Sequence, residues 1–200
     1  MQHQTTPSSP DARQFLLRLA REAVELAVRE HKHISVPADL APELKHKKGA
    51  FVTLNKQGDL RGCIGNIYPD LPLAEAVASN AYRAALKDPR FPPVAPGEIA
   101  EIEIEVSVLS VPEPLEFSSP AELLGKLQPH RDGLVLQIGT HRSTFLPQVW
   151  EKLPNPEDFL NHLTAKAGLP SDAWRKSGTQ IQIYQVEAFT ESEPHGGARP

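Results

Sequence analysis

The chain has 200 residues, 40% hydrophobic and 23% charged, with a formal net charge of −4. That length can bury a full core, and the small negative charge excludes a global field that would draw in nucleic acid or an anionic membrane. One cysteine excludes an internal disulfide and suits a reducing compartment. The polar, proline-bearing start lacks an apolar signal core and no apolar run nears the ~20 residues of a membrane span, so the expected location is cytoplasmic.

Residues 1–9 read as a flexible tail. Ser9-Pro10 supplies an N-cap and a first-turn proline, and Phe15, Leu16, Leu19, Ala20, Ala23, Val24, Ala27 and Val28 follow at helical spacing. The pattern predicts an amphipathic helix over about 11–30. Residues 31–48 are irregular and end in the basic run Lys45-His46-Lys47-Lys48. A strand over 49–54, a turn over 55–58 and a returning strand make a hairpin. The returning strand carries Leu60-Arg61-Gly62-Cys63-Ile64-Gly65.

Pro72 opens a second helix, with Leu73, Val77, Asn80, Ala81 and Ala84 on one face, and Asp88-Pro89 ends it. Arg90 to Val94 is stiff and extended. From 101 to 109 the chain alternates, with Ile102, Ile104, Val106 and Val108 facing inward. The prolines at 112 and 114 mark a lobe boundary. Ser119-Pro120-Ala121-Glu122 caps a short helix. A second hairpin spans 134–138 and 143–146, a helix runs from 156 to 167, and a last, bulged strand covers 181–189. Residues 191–200 read as a second flexible tail. The expected fold is α+β, a single two-lobed domain over 10–190 with an antiparallel or mixed sheet flanked by helices. Its larger lobe takes about 10–111 plus 177–190, and its smaller lobe about 112–176.

The chemistry concentrates at the six-residue motif. Strand alternation places Arg61 and Cys63 on one side. A guanidinium beside a thiol favours the nucleophilic thiolate. Gly62 and Gly65 permit close approach of a ligand or another backbone segment, and exposed amides there suit an oxyanion. Against this stands a packed cysteine, with glycines serving a bulge and Arg61 paired to a glutamate. A cysteine nucleophile needs a base, for which His33, His46, His141 and His162 are the candidates. Asn80, in an apolar stripe, is a satisfied core amide or a pocket-facing group. Asp88 and Arg90 sit on a stiff frame suited to aiming charge, or form a structural ion pair. Glu105 is a further candidate for the same cleft. No zinc spacing, phosphate loop or dinucleotide fingerprint occurs, and Lys45–Lys48 lacks the aromatic interleaving of a nucleic-acid platform.

Gly49-Ala50-Phe51-Val52-Thr53-Leu54, the Leu60–Gly65 motif, Asp88-Pro89-Arg90-Phe91-Pro92-Pro93-Val94 and Ile104-Glu105-Val106-Ser107-Val108-Leu109 together resemble the AMMECR-domain family. So do Asp132-Gly133-Leu134, Phe145-Leu146-Pro147-Gln148-Val149-Trp150, Phe159-Leu160 and Lys166-Ala167-Gly168-Leu169, in order along about 12–190. The likeness is strongest to its prokaryotic AmmeMemoRadiSam-system branch. His130 stands where that pattern leads one to expect glycine. The resemblance implies a two-lobed α+β domain, a cytoplasmic location and a link to a Memo-like protein and a radical-SAM protein. It implies a site at Arg61, Gly62, Cys63 and Gly65 without supplying a reaction or a cofactor. Three expectations follow: a small-molecule or anion-binding domain, as an enzyme one with Cys63 as nucleophile activated by Arg61; a non-catalytic adaptor for those partners; and, disfavoured by charge, RNA binding or modification, which would show as salt-sensitive retention in filter binding.

Overall fold

The computed structural model describes residues 8–192. The α+β class is as expected, with helices and two four-stranded antiparallel sheets. The described residues divide into two compact units, one built from 8–111 plus 187–192 and the other from 112–186.

In the first unit the sheet has strand order β2-β1-β3-β8, from Gly49–Lys56 (β1), Asp59–Asn66 (β2), Ile102–Leu109 (β3) and Val186–Thr190 (β8). Helix α1 is Pro10–Glu30, α2 is a single turn at Pro42–Lys45, and α3 is Leu73–Leu86. The Ser9 hydroxyl accepts from the Ala12 N–H at the start of α1. Its end is closed by His31, at φ 56°. Helices α1 and α3 pack on each other and on the sheet. Ala74, Ala76, Ala81, Ala84 and Ala85 line the buried face of α3, and their small side chains let the backbones approach. Val52, Leu54, Ile104, Val106 and Val108 are fully buried beneath the helices, as the period-2 pattern requires.

The tail predictions fall partly outside the described residues, at 1–7 and 193–200. The inner ends are anchored. The Ser8 N–H donates to Glu187, which also pairs with Arg13 at 2.5 Å. Glu191 bonds Arg21 and accepts from the Ile104 N–H at 2.9 Å.

The second unit has strand order β4-β7-β5-β6, from Glu113–Pro114 (β4), Gly133–Ile138 (β5), His141–Phe145 (β6) and Thr179–Tyr184 (β7). Helices α4 (Pro120–Lys126) and α5 (Pro156–Lys166) begin at the Ser119 and Asn155 caps. Its core centres on Trp150, stacked on Phe159 at 3.7 Å, with the indole N–H donating to the Asp132 carbonyl at 2.7 Å. His130 holds φ 65°, the left-handed geometry that makes glycine the expected residue there.

The strand expected over 181–189 is two strands. Residues 179–184 pair with β5, and 186–190 belong to the first sheet. The larger lobe therefore regains the chain at 187 rather than 177. Ile181 and Tyr184, three residues apart, are buried on opposite faces of one unbroken strand, and the change of inward face marks the approach to Gln185, where the chain leaves the second sheet for the first.

Candidate functional site

The β1–β2 hairpin turns through Gln57 (φ 54°) and Gly58 (φ 87°), the two left-handed residues of a type I′ turn. Lys56 then pairs with Asp59 and Asn55 with Leu60, but Leu54 pairs with Gly62. Arg61 is the extra residue of a β-bulge. The insertion shifts the register by one and sets Cys63 opposite Thr53. The Thr53 hydroxyl donates to the Cys63 sulfur at 3.3 Å. On its other side Thr53 pairs with Glu105 of β3. Cys63, Thr53 and Glu105 thus form a row across three strands, on the face opposite the helix-covered core, and all three are half-buried. With strands ~4.8 Å apart, the row spans roughly 10 Å of backbone.

β2 is an edge strand, and at Cys63 its outward groups are taken by the segment after α3. Asp88 Oδ2 accepts from the Cys63 N–H at 2.8 Å, and Arg90 Nη2 donates to the Cys63 carbonyl at 3.0 Å. The two residues are joined by Arg90 Nη2 to Asp88 Oδ2 at 2.7 Å and Nε to Oδ1 at 2.9 Å. Asp88 also takes the Arg90 N–H, the local turn that Asp-Pro favours. Arg90 holds the Asp88 carboxyl well below the usual carboxylate range, and the Cys63 and Arg90 N–H groups add to this against the penalty of burial. The Arg90 guanidinium is itself raised, first by its bond to Asp88 and, less strongly, by the charge of the Cys63 thiol group. The Arg90 side chain remains 54% exposed, whereas that of Asp88 is 2% exposed.

Arg61 has its guanidinium donors engaged by the segment 92–98. Its Nε and Nη2 bond Glu98 at 3.1 and 2.9 Å, and its remaining donors reach the Pro92 and Pro93 carbonyls at 2.9 and 3.3 Å. The bulge removes Arg61 from the strand alternation, so sharing a face with Cys63 does not follow. Glu98 also takes Lys56 and the Ala95 N–H. Arg61 first, then the Ala95 N–H and Lys56, lower the Glu98 carboxyl to about 2 against a small burial penalty.

The motif glycines make room for the protein itself. A Cβ at Gly62 would lie 2.4 Å from the Ala84 carbonyl oxygen, where β2 crosses the end of α3. One at Gly65 would lie 2.2 Å from Cγ of Phe51, whose ring covers it. Neither opening is left for an oxyanion. Asn80 is the satisfied amide, donating to the Ala50 carbonyl at 3.0 Å and to Asn66 Oδ1 at 2.9 Å. Of the proposed bases, His33 stacks on Tyr82 at 3.8 Å, while His141 and His162 bond the Ala167 and Asp158 carbonyls through Nδ1. Among the described residues no cluster of three or more His, Cys, Asp or Glu is placed to hold a metal ion.

The AMMECR1 family model matches residues 17–189, which spans both sheets and the whole Cys63 row. The chain belongs to the AMMECR1 family. Among its relatives, a protein of Thermofilum pendens is 43% identical over 197 residues, covering 91% of each chain. Protein TK0174 of Thermococcus kodakarensis is 43% identical over 196 residues, covering 93% of each. The crystal structure of protein PH0010 from Pyrococcus horikoshii superposes with a TM-score of 0.82 at 42% identity, covering 92% of this chain and 93% of that one. This AMMECR1 chain contains no helix, among its described residues, that is long and apolar enough to cross a membrane.

Proposed function

We propose that this AMMECR1 protein binds a small anionic molecule at the Cys63 row and that, as an enzyme, it uses Cys63 as its nucleophile. One observation carries the reading. The half-buried Cys63 sulfur accepts a hydrogen bond from Thr53, and the Arg90 guanidinium donates to the carbonyl of the same residue, so a cation stands beside the thiol. The exposed half of the Arg90 side chain is available to an anionic group of the bound molecule. In this reading Glu105, beyond Thr53 in the row, exchanges a proton with the bound molecule and not with the thiol, which stands roughly 10 Å away along the row. The activating cation in this reading is Arg90, and Arg61 is structural. The test is alkylation by iodoacetamide across pH 6–9. Cys63 should react faster than a model thiol at the acid end, and equal rates throughout would remove the activated nucleophile.

A second reading is favoured by the way the motif uses itself up. Gly62, Gly65, Asp88 and Arg61 all have partners within the fold. A hairpin so braced also suits a rigid docking surface for the Memo-like and radical-SAM proteins that the family resemblance implies, in the cytoplasm. Under that reading Cys63→Ser keeps partner binding and cellular role. Under the first it abolishes turnover while the protein stays folded.

A further inference from the structure

Away from the Cys63 row, the segment after α1 lies along α3 and leaves an open groove of about 410 Å³ between them. Its floor is apolar, made by Ile34, Val36 and the buried Ala78. His33 contributes one face of an imidazole held in place by its stack on Tyr82, with ring planes 23° apart. Around the floor stand the Ser35 and Ser79 hydroxyls and the Glu75 carboxylate. Among the described residues, none of these three side chains has a hydrogen-bond or ion-pair partner. They are polar groups round one concavity that face solvent and no other protein group. Among the described residues neither a lysine nor an arginine lines the groove, and Glu75 is the one carboxylate there.

We infer that this groove binds a small amine, an ammonium group carried on a short apolar or aromatic body. The ammonium nitrogen meets Glu75, its remaining protons meet the Ser35 and Ser79 oxygens, and the body lies on Ile34, Val36 and the free face of the His33 ring. The unpaired carboxylate selects charge, because a ligand carboxylate would face Glu75 with no cation to offset it. The aromatic face and the apolar floor select a body rather than a bare ion. A metal ion is disfavoured because the groove offers only two groups of metal-ligating type, His33 and Glu75.

The experiment is an amide chemical-shift titration of the full chain with phenethylamine, and with phenylacetate and 2-phenylethanol as matched anionic and neutral probes. Saturable shifts should centre on Ile34, Ser35, Val36, Ala78 and Ser79, with the amine binding about fivefold tighter than either comparator, the upper end of what a solvent-exposed ion pair contributes. Glu75→Gln should weaken the amine by about fivefold and leave the alcohol unchanged. Ser79→Leu should block all three by filling the groove. Equal affinity for the three probes, saturation centred elsewhere, no saturation at all, or a Glu75→Gln variant that binds the amine unchanged would each overturn the assignment.

Discussion

Asp88 and Cys63 are joined through the backbone: a carboxylate with a 2%-exposed side chain accepts the outward N–H of an edge-strand cysteine at 2.8 Å. Arg90 closes the same peptide unit from the carbonyl side at 3.0 Å. Together the pair does for β2 what a fifth strand would do, satisfying one N–H and one C=O where the sheet ends. Removing the carboxylate leaves two N–H groups and a guanidinium without their acceptor. Asp88→Ala should therefore lower stability by about 1–3 kcal/mol, and Asp88→Asn by less, since one oxygen survives. Urea unfolding of the two variants beside the parent measures both.

Thr53 and Arg90 act on the sulfur by different means, and alkylation separates them. Thr53→Val removes a donor to the sulfur and should slow iodoacetamide at pH 7 by about fivefold, the equivalent of a hydrogen bond of about 1 kcal/mol. Arg90→Gln should slow it as well, because a cation near the thiol is lost. Arg61→Gln should leave the rate in place. A rate that follows Arg61 and ignores Arg90 would restore the simple Arg-Gly-Cys reading of the motif.

Gly62→Ala tests the close crossing of β2 over α3. The new methyl would meet the Ala84 carbonyl, which belongs to a packed helix and cannot swing away as a side chain can. The expected cost is about 2 kcal/mol or more. Thermal unfolding reads it directly, and a loss under 0.5 kcal/mol, on the order of a neutral surface change, would show that the crossing yields easily.

Glu98 gives the first unit an acid-sensitive brace. Its carboxyl is lowered to about 2 in the folded protein from a usual value near 4.5. A depressed acid contributes stability that is fully present above its unfolded value. That contribution is lost as the pH falls from about 4.5 to about 2. Over this window the parent should lose more stability than Glu98→Gln, whose own deficit at neutral pH should be on the order of 1–2 kcal/mol. Unfolding free energies at pH 7, 4 and 3 for both proteins check the sign.

Much of the fold was legible because its signals are local. The caps at Ser9, Ser119 and Asn155 and the alternation from Ile102 to Val108 each name an element from a few adjacent residues. The three 3-10 turns at Pro96–Glu101, Pro147–Glu151 and Ala173–Arg175 carry no such periodicity and were not foreseen. Around the motif, the pairing of Arg61 with a glutamate and the ion pair of Asp88 with Arg90 were both legible as alternatives, but the partner Glu98 and the bulge at Arg61 were not. Counting back from the Gln57-Gly58 turn pairs Thr53 with Gly62 and keeps Arg61 on the Cys63 face. A single inserted residue undoes both inferences, and nothing between Leu60 and Gly62 announces it. Thr53 entered the site only through that shift.

The break at Gln185 has a consequence for synthesis. The second unit is spliced into the middle of the first, so the first sheet lacks β8 until the inserted unit has been made. Arg21 waits for a partner 170 residues later, and Arg13 waits for Glu187. A nascent chain halted at residue 111 carries the complete Cys63 row but not the strand and acids that lock α1 to the sheet edge. The closing stitch of the first unit is thus tied only after the whole inserted unit has left the ribosome and had time to fold by itself.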